Sequence, residues 1–119
     1  MADDARVICA SAALRDGGRG VRFIVREAGR DVPAFVVRYN GKVHAYVNRC
    51  AHVPVELDWT EGDFFDYSKL FLICATHGAM YLPESGVCVQ GPCPGKRLQS
   101  VPVEERDGQI IHLKETHHV

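Results

Sequence analysis

Residues 34–39 (AFVVRY) and 42–47 (KVHAYV) flank the dipeptide Asn40-Gly41. Both runs are rich in the β-branched and aromatic residues that favour strands. Asn-Gly favours a two-residue hairpin turn because both of its residues tolerate positive φ. This stretch therefore predicts two antiparallel strands joined by a tight turn.

Further strand-like runs recur on both sides of this hairpin, at 6–10, 21–26, 70–73, 98–105 and 109–113. Asp107-Gly108 separates the last two runs and predicts a second hairpin. No segment repeats its apolar residues at helical period, and residues 10–15 would form one helical turn at most. Short strands between frequent turn signals predict an all-β fold, an antiparallel sandwich or small barrel.

The composition is that of an ordinary globular domain. The chain has 119 residues, of which 46% are hydrophobic and 24% charged, enough for one domain and too few for two. A formal net charge of −1 gives no electrostatic reason to expect binding to nucleic acid or to a membrane surface. The acidic N-terminus lacks the apolar segment of a signal peptide, and no apolar run is long enough to span a bilayer. We therefore expect one domain over residues 1–119 and a cytoplasmic location.

Two short segments hold cysteine and histidine at metal-ligand spacing. Cys50-Ala51-His52 follows the run that ends at residue 47, and Cys74-Ala75-Thr76-His77 follows the apolar run 70–73. Disulfides are rare in a reducing cytoplasm, so such residues are interpreted first as metal ligands. In a structural zinc site of this kind, one segment usually supplies two cysteines and the other supplies two histidines. Here each segment supplies one cysteine and one histidine. Two segments that each hold one cysteine and one histidine suit a Rieske [2Fe–2S] centre better than a zinc site. A zinc-stabilised structural domain remains an alternative.

At these residues the chain resembles the Rieske domain family. The family pattern is Cys-x-His, Cys-x-x-His-Gly, an aromatic residue, a Ser-Gly or Thr-Gly turn and a Gly-Pro segment. Its counterparts here are Cys50-Ala51-His52, Cys74-Ala75-Thr76-His77-Gly78, Tyr81, Ser85-Gly86 and Gly91-Pro92. The resemblance covers almost the whole chain.

The resemblance implies Rieske-like stacked antiparallel sheets, a sandwich or barrel base, with a two-loop cluster-binding subdomain at about 48–95. It implies one [2Fe–2S] cluster per chain, bound by Cys50, His52, Cys74 and His77, and no catalytic residue. A third, proline-containing loop is expected to cover the cluster.

Departures from the family pattern indicate a subtype. Val55 and Thr76 occupy the positions where respiratory-complex Rieske proteins carry two disulfide-bonded cysteines. Ala79 occupies the position of a serine that donates a hydrogen bond to a cluster sulfur in those proteins, whereas Tyr81 keeps the usual aromatic. Hydrogen bonds to the sulfurs raise the reduction potential. These differences predict a potential at the low end of the Rieske range, as in the ferredoxins that serve ring-hydroxylating oxygenases.

The function that the resemblance implies is one-electron transfer rather than catalysis. We expect a ferredoxin-like component of an oxygenase or related redox system, with a flavin reductase and a terminal oxygenase as partners. The alternative is a redox or iron-status sensing module. No nucleic-acid or membrane partner is expected, and the protein is expected to be a monomer.

Two features remain open at this level. The 21 residues between His52 and Cys74 exceed the spacing of most Rieske ferredoxins. The extra segment around 60–67 predicts either an exposed docking loop or a small additional core. Cys88 and Cys93 predict either a redox-active pair or two structural residues, and the cytoplasmic context favours the structural interpretation.

Overall fold

Three antiparallel sheets of three strands each appear in the computed structural model, which describes residues 5–51, 55–58, 60–76, 78–91 and 94–113. The strands are β1 Ala5–Ala10, β2 Val21–Glu27, β3 Arg30–Tyr39, β4 Lys42–Val47, β5 Leu72–Ile73, β6 Met80–Tyr81, β7 Cys88–Gln90, β8 Val103–Arg106 and β9 Gln109–Leu113. The sheet orders are β1-β9-β8, β2-β3-β4 and β5-β6-β7. The predicted all-β fold of stacked antiparallel sheets is confirmed.

The hairpin turns owe their shape to pairs of residues with positive φ. Asn40 and Gly41 have φ of 55° and 82° between β3 and β4, and Asp107 and Gly108 have 53° and 76° between β8 and β9. Both hairpins agree with the sequence prediction. A third turn at residues 28–29 joins β2 to β3 with φ of 53° and 78°, and the sequence analysis missed it. Alanine rarely adopts positive φ, so Ala-Gly is a weak turn signal.

The predicted strand 98–105 was too long. A regular strand begins only at Val103, because Pro102 has no N–H to donate to a ladder. The preceding residues still follow β4: the Val47 N–H donates to the Gln99 carbonyl at 2.8 Å, and the Val101 N–H donates to the Ala45 carbonyl at 2.9 Å. This irregular segment joins the β8 hairpin to the central sheet.

One other predicted strand is also shorter than expected. Of the run 70–73, only Leu72–Ile73 forms a strand. Residues 11–13 form a single 3-10 turn, in agreement with the limit of one helical turn. No helix among the described residues has the length and apolar character needed to cross a membrane.

The central strand β3 is buried on both faces. Phe35 and Val37 belong to one hydrophobic cluster, and Ala34 and Val36 belong to another on the opposite side. Successive side chains of a strand point to opposite faces, so an uninterrupted apolar run fits a strand between two layers. The first cluster extends to Cys50 and Cys74, which places the candidate ligand loops at its margin.

The additional segment around 60–67 contributes to the core. Phe64 is fully buried and stacks on Phe35 with ring centroids 3.9 Å apart, and Phe65 is also buried. A Cβ on Gly20 would lie 2.8 Å from the Phe64 ring, so glycine is required for this packing. Tyr67, in contrast, is fully exposed. The phenylalanines therefore belong to the same buried cluster as Phe35 rather than to a separate small core, and Tyr67 remains on the surface.

Candidate metal centre

Cys50 and Cys74 lie in one buried cluster, each in the loop that follows a strand. Their residues are 3% and 0% exposed, and they follow β4 and β5 respectively. The other two predicted ligands, His52 and His77, lie outside the described residues. The structure buries both cysteines in loops that follow strands, and the assignment of all four ligands remains a prediction.

Backbone hydrogen bonds shape both ligand loops. In the first loop the Cys50 N–H donates to the Val55 carbonyl at 2.8 Å. In the second, the Cys74 N–H donates to the Ala79 carbonyl at 2.9 Å, and the Cys74 carbonyl accepts the Gly78 N–H at 2.8 Å. These two bonds tie Cys74 to Gly78 and Ala79 at the other end of the loop. Each cysteine is therefore held by its own loop as well as by the strand that precedes it.

A direct bond joins the two loops. The Ala75 N–H donates to the Leu57 carbonyl at 3.0 Å, and Leu57 is fully buried in the same cluster as both cysteines. Loops supported in this way by a rigid scaffold are common positions for functional groups.

Tyr81 brings a hydroxyl to the first loop. Its oxygen lies 3.2 Å from Cys50 Sγ and accepts the Ala51 N–H at 2.9 Å. When Cys50 is a thiolate its sulfur can only accept, so the hydroxyl is then the donor. The ring is fully buried on β6, which keeps this hydroxyl in place.

The third loop packs tightly against the second. A Cβ on Gly91 would lie 2.7 Å from the Ala79 Cα, and Gly91 has φ of 104°, so a side chain at this position is excluded. Pro92 and Cys93 lie outside the described residues. Cys88 is buried in the cluster that contains Cys50 and Cys74, with its sulfur 3.4 Å from the Gln90 carbonyl oxygen. Because Cys93 lies outside the described residues, both interpretations of the Cys88 and Cys93 pair stay predictions.

A buried polar pair that sequence reasoning missed lies behind the first loop. The Asn48 amide accepts the Leu57 N–H at 2.9 Å and donates to Asp58 Oδ1 at 3.0 Å. Asp58 Oδ2 accepts the Gly62 N–H at 2.9 Å and lies 3.5 Å from Arg22 Nε. Asp58 is one of several acidic residues in this part of the chain, and nothing in the sequence singles it out as buried.

These residues fit a thiolate-bound iron–sulfur cluster. Two buried thiols are of the kind that bind iron as thiolates, and a hydroxyl beside one of them is a hydrogen-bond donor of the kind that tunes such centres. Within the described ranges no group of three metal-binding side chains occurs, and two of the predicted ligands fall outside those ranges.

Fold and site together define an all-β protein with two buried loop cysteines that suit an iron–sulfur cluster. The model of the Rieske [2Fe-2S] domain matches residues 5–111. The chain therefore belongs to the Rieske [2Fe–2S] domain family, which confirms the resemblance found in the sequence and implies a [2Fe–2S] cluster. A comparison with curated proteins gave no significant match.

Solved structures share the fold. The ferredoxin of carbazole 1,9a-dioxygenase from Nocardioides aromaticivorans IC177 superposes with a TM-score of 0.70 at 19% identity, covering 95% of this chain and 100% of that chain. A ferredoxin-length chain in a complex of reduced oxygenase and oxidized ferredoxin in carbazole 1,9a-dioxygenase gives 0.71 at 20% identity, covering 99% and 100%. A longer chain from another oxygenase and ferredoxin complex of this dioxygenase gives 0.71 at 21% identity and 95% coverage of this chain. The present chain spans only 29% of that longer chain.

These comparisons bear on the predicted function. At such identities the superpositions show the fold, and the family match shows the domain type. A Rieske domain implies a [2Fe–2S] cluster, which is a one-electron centre.

Proposed function

We propose that this protein is a one-electron carrier, the ferredoxin-like component of an oxygenase or related redox system. The observation that carries the proposal is the pair of buried thiols, Cys50 and Cys74, in the loops of a chain that matches the Rieske domain over residues 5–111. Full-length coverage of a dioxygenase ferredoxin supports the carrier role.

We assign the ligands as Cys50, His52, Cys74 and His77, with one cluster in a single domain of residues 1–119. The cluster-binding part is residues 48–95. When bound, the cluster supplies a centre that gains and loses one electron.

The chain's own residues provide the surroundings of this centre. Burial of both cysteines keeps water from the sulfurs, and the Tyr81 hydroxyl donates to Cys50. Backbone hydrogen bonds from Cys74 to Gly78 and Ala79 tie the two ends of the second loop together. A preorganised site of this kind needs little rearrangement when charge changes.

The proposed partners are a flavin reductase that supplies electrons and a terminal oxygenase that takes them. Structures of oxygenase and ferredoxin complexes among the similar folds support the second partner. A formal net charge of −1 offers no basis for nucleic-acid or membrane binding. A monomeric state and a cytoplasmic location complete the proposal.

Metal analysis tests the assignment. Protein produced in iron-replete medium is expected to hold about two irons and two acid-labile sulfides per chain, with a rhombic paramagnetic signal on reduction. Cys74→Ala and His77→Ala are expected to lose the cluster, because each leaves one iron undercoordinated. Cys9→Ala removes a half-buried thiol on β1 and is expected to keep it. One zinc and no sulfide in the wild-type protein would refute the proposal.

A turnover assay separates a carrier from a sensor. With NADH, a purified flavin reductase and a purified ring-hydroxylating oxygenase, a carrier supports many cycles of product formation per chain. Single reduction by dithionite without any reductase-coupled turnover, across reductases of several oxygenase systems, would favour the sensing alternative.

A further inference from the structure

Asp58 is a carboxylate with no solvent exposure of its side chain. Its Oδ1 accepts a hydrogen bond from Asn48 Nδ2 at 3.0 Å, and its Oδ2 accepts one from the Gly62 N–H at 2.9 Å. A charged group is costly to bury unless such bonds replace its lost hydration. This bonding pattern needs two acceptor oxygens, which an ionised carboxylate supplies.

The carboxylate is connected to both ligand loops. Asn48, two residues before Cys50, uses its oxygen to accept the Leu57 N–H at 2.9 Å and its amide hydrogens to reach Asp58. The Leu57 carbonyl in turn accepts the Ala75 N–H of the second loop at 3.0 Å. A continuous series of contacts thus runs from the buried charge to the loops that carry the two thiols.

The charge of Asp58 is only partly compensated. Arg22 is the cation beside it, with Nε 3.5 Å from Oδ2, but the same guanidinium also bonds Glu56. Two carboxylates therefore share one positive charge, and the trio carries a net charge of −1. The Glu56 side chain is 44% exposed and its charge is screened by solvent, whereas Asp58 acts through the protein interior.

We propose that Asp58 is a positioning residue for the first ligand loop and that its buried charge lowers the reduction potential of the site. This inference rests on the proposed function. An oxidised Rieske centre with two thiolates and two neutral imidazoles is formally neutral, so reduction creates a negative charge. A fixed negative charge nearby opposes that change, and more strongly in a low dielectric.

Two variants separate the charge from the hydrogen bonds. Asp58→Asn removes the charge, but its NH₂ group must then face one of the two donors that bond to the wild-type carboxylate, Asn48 Nδ2 or the Gly62 N–H. The exchange Asn48→Asp/Asp58→Asn restores the pattern in reverse: the new carboxylate accepts from Leu57 and from the new amide, whose oxygen accepts from Gly62. The net charge is unchanged, and the negative charge moves to position 48.

The expected results differ in sign. Asp58→Asn should make the equilibrium constant for reduction at least tenfold larger, which is about 59 mV for one electron. The exchange variant should bring the midpoint back to the wild-type value or below, because it keeps one negative charge in the same buried pair and places it on the residue that accepts the Leu57 N–H of the first loop. Glu56→Gln is the matched control, since it removes a carboxylate from the same guanidinium but at an exposed position. Its shift should be less than a third of that of Asp58→Asn.

Midpoints are measured by spectroelectrochemistry on protein of known iron and sulfide content. A loaded Asp58→Asn protein with an unchanged midpoint would overturn the inference while leaving the proposed function intact. If Asp58→Asn does not hold a cluster, the exchange variant decides between the outcomes. A midpoint of the exchange variant above the wild-type value contradicts the inference, and a midpoint at or below that value supports it. Loss of the cluster from both variants would reduce Asp58 to a folding role and contradict the inference. A wild-type protein without a cluster would overturn the proposed function itself.

Discussion

The phenolic oxygen of Tyr81 lies 3.2 Å from the sulfur of Cys50 and 2.9 Å from the amide nitrogen of Ala51. One hydroxyl therefore contacts both a candidate ligand and the backbone of the loop that carries it. Because it accepts the Ala51 N–H, its own proton is available to the sulfur. The fully buried ring fixes this geometry from β6. A strand of the β5-β6-β7 sheet therefore places a hydrogen-bond donor beside Cys50 in the first loop.

Tyr81→Phe is expected to lower the midpoint potential and to keep the cluster. Hydrogen bonds to cluster sulfurs raise the potential, and this variant removes one without removing the ring. The matched control is Tyr46→Phe, which deletes another buried hydroxyl, one that donates to the Pro83 carbonyl at 2.6 Å. Each variant should lose about 1 kcal/mol of stability, but only Tyr81→Phe should shift the midpoint. Equal midpoints for the two variants, measured by voltammetry, would contradict the role assigned to Tyr81.

Ala79→Ser is expected to raise the midpoint. The wild-type value should lie near the bottom of the Rieske span of about −150 to +300 mV, because no hydroxyl is present at this position. Ala79 is fully buried, and its carbonyl accepts the Cys74 N–H. A serine at this position would therefore add a buried hydroxyl to the loop that carries Cys74. Ala75→Ser adds the same group at an exposed position of that loop and should leave the midpoint unchanged. A wild-type midpoint well above zero would show that the assignment of these positions is wrong.

The strands and hairpins that sequence analysis predicted are those with strong local signals. Asn40-Gly41 and Asp107-Gly108 sit between β-branched runs, and both form the predicted turns. The short strands β6 and β7 were not predicted, because they have no comparable signal and their pairing depends on partners brought together by the rest of the fold.

The residues of the site likewise differ in how far the sequence alone singles them out. Cys50 and Cys74 stand out by residue type and spacing, and the structure buries both. Asn48 and Asp58 belong to residue types that are mostly exposed, so only tertiary structure shows that they form a buried pair. The phenylalanines of the additional segment were ambiguous for a related reason: an apolar residue near acidic ones gives no sign of which surface it will contact.

Gly91→Ala is expected to be more damaging than Gly95→Ala. Both glycines have positive φ, at 104° and 88°, so either alanine introduces backbone strain of about 1–2 kcal/mol. At Gly95 an added Cβ meets nothing within 4 Å, whereas at Gly91 it would lie 2.7 Å from the Ala79 Cα. The difference between the variants therefore isolates the contact of the third loop with the second. Urea unfolding and the rate of cluster loss should both be more affected in Gly91→Ala; equal effects would show that this contact is unimportant.

The Arg38–Glu105 pair predicts how stability depends on pH. Arg38 on β3 donates from Nη1 and Nη2 to the two carboxylate oxygens of Glu105 on β8, at 3.0 and 2.7 Å, and so links two sheets. The hydrogen bonds from this guanidinium lower the pKa of Glu105 from its usual 4.5 to about 2. A carboxyl with a lowered folded-state pKa stabilises the fold above its unfolded-state pKa, and that contribution is lost as pH falls toward the folded-state value.

Glu105→Gln is therefore expected to be less stable than wild type by a constant amount between pH 7 and pH 5. The difference should shrink below about pH 4.5 and be largely lost by about pH 2, where roughly half of the wild-type carboxyl is protonated in the folded state. Glu104→Gln is the matched control on the same strand. Its partner Arg106 also lowers the pKa of the Glu104 carboxyl, but that pair is more exposed and lies within one hairpin, so its pH-dependent contribution should be smaller. Urea unfolding followed by far-UV circular dichroism at each pH measures both differences. A Glu105→Gln deficit that persists unchanged to pH 2 would mean that the glutamate stabilises the sheets through packing rather than through its charge.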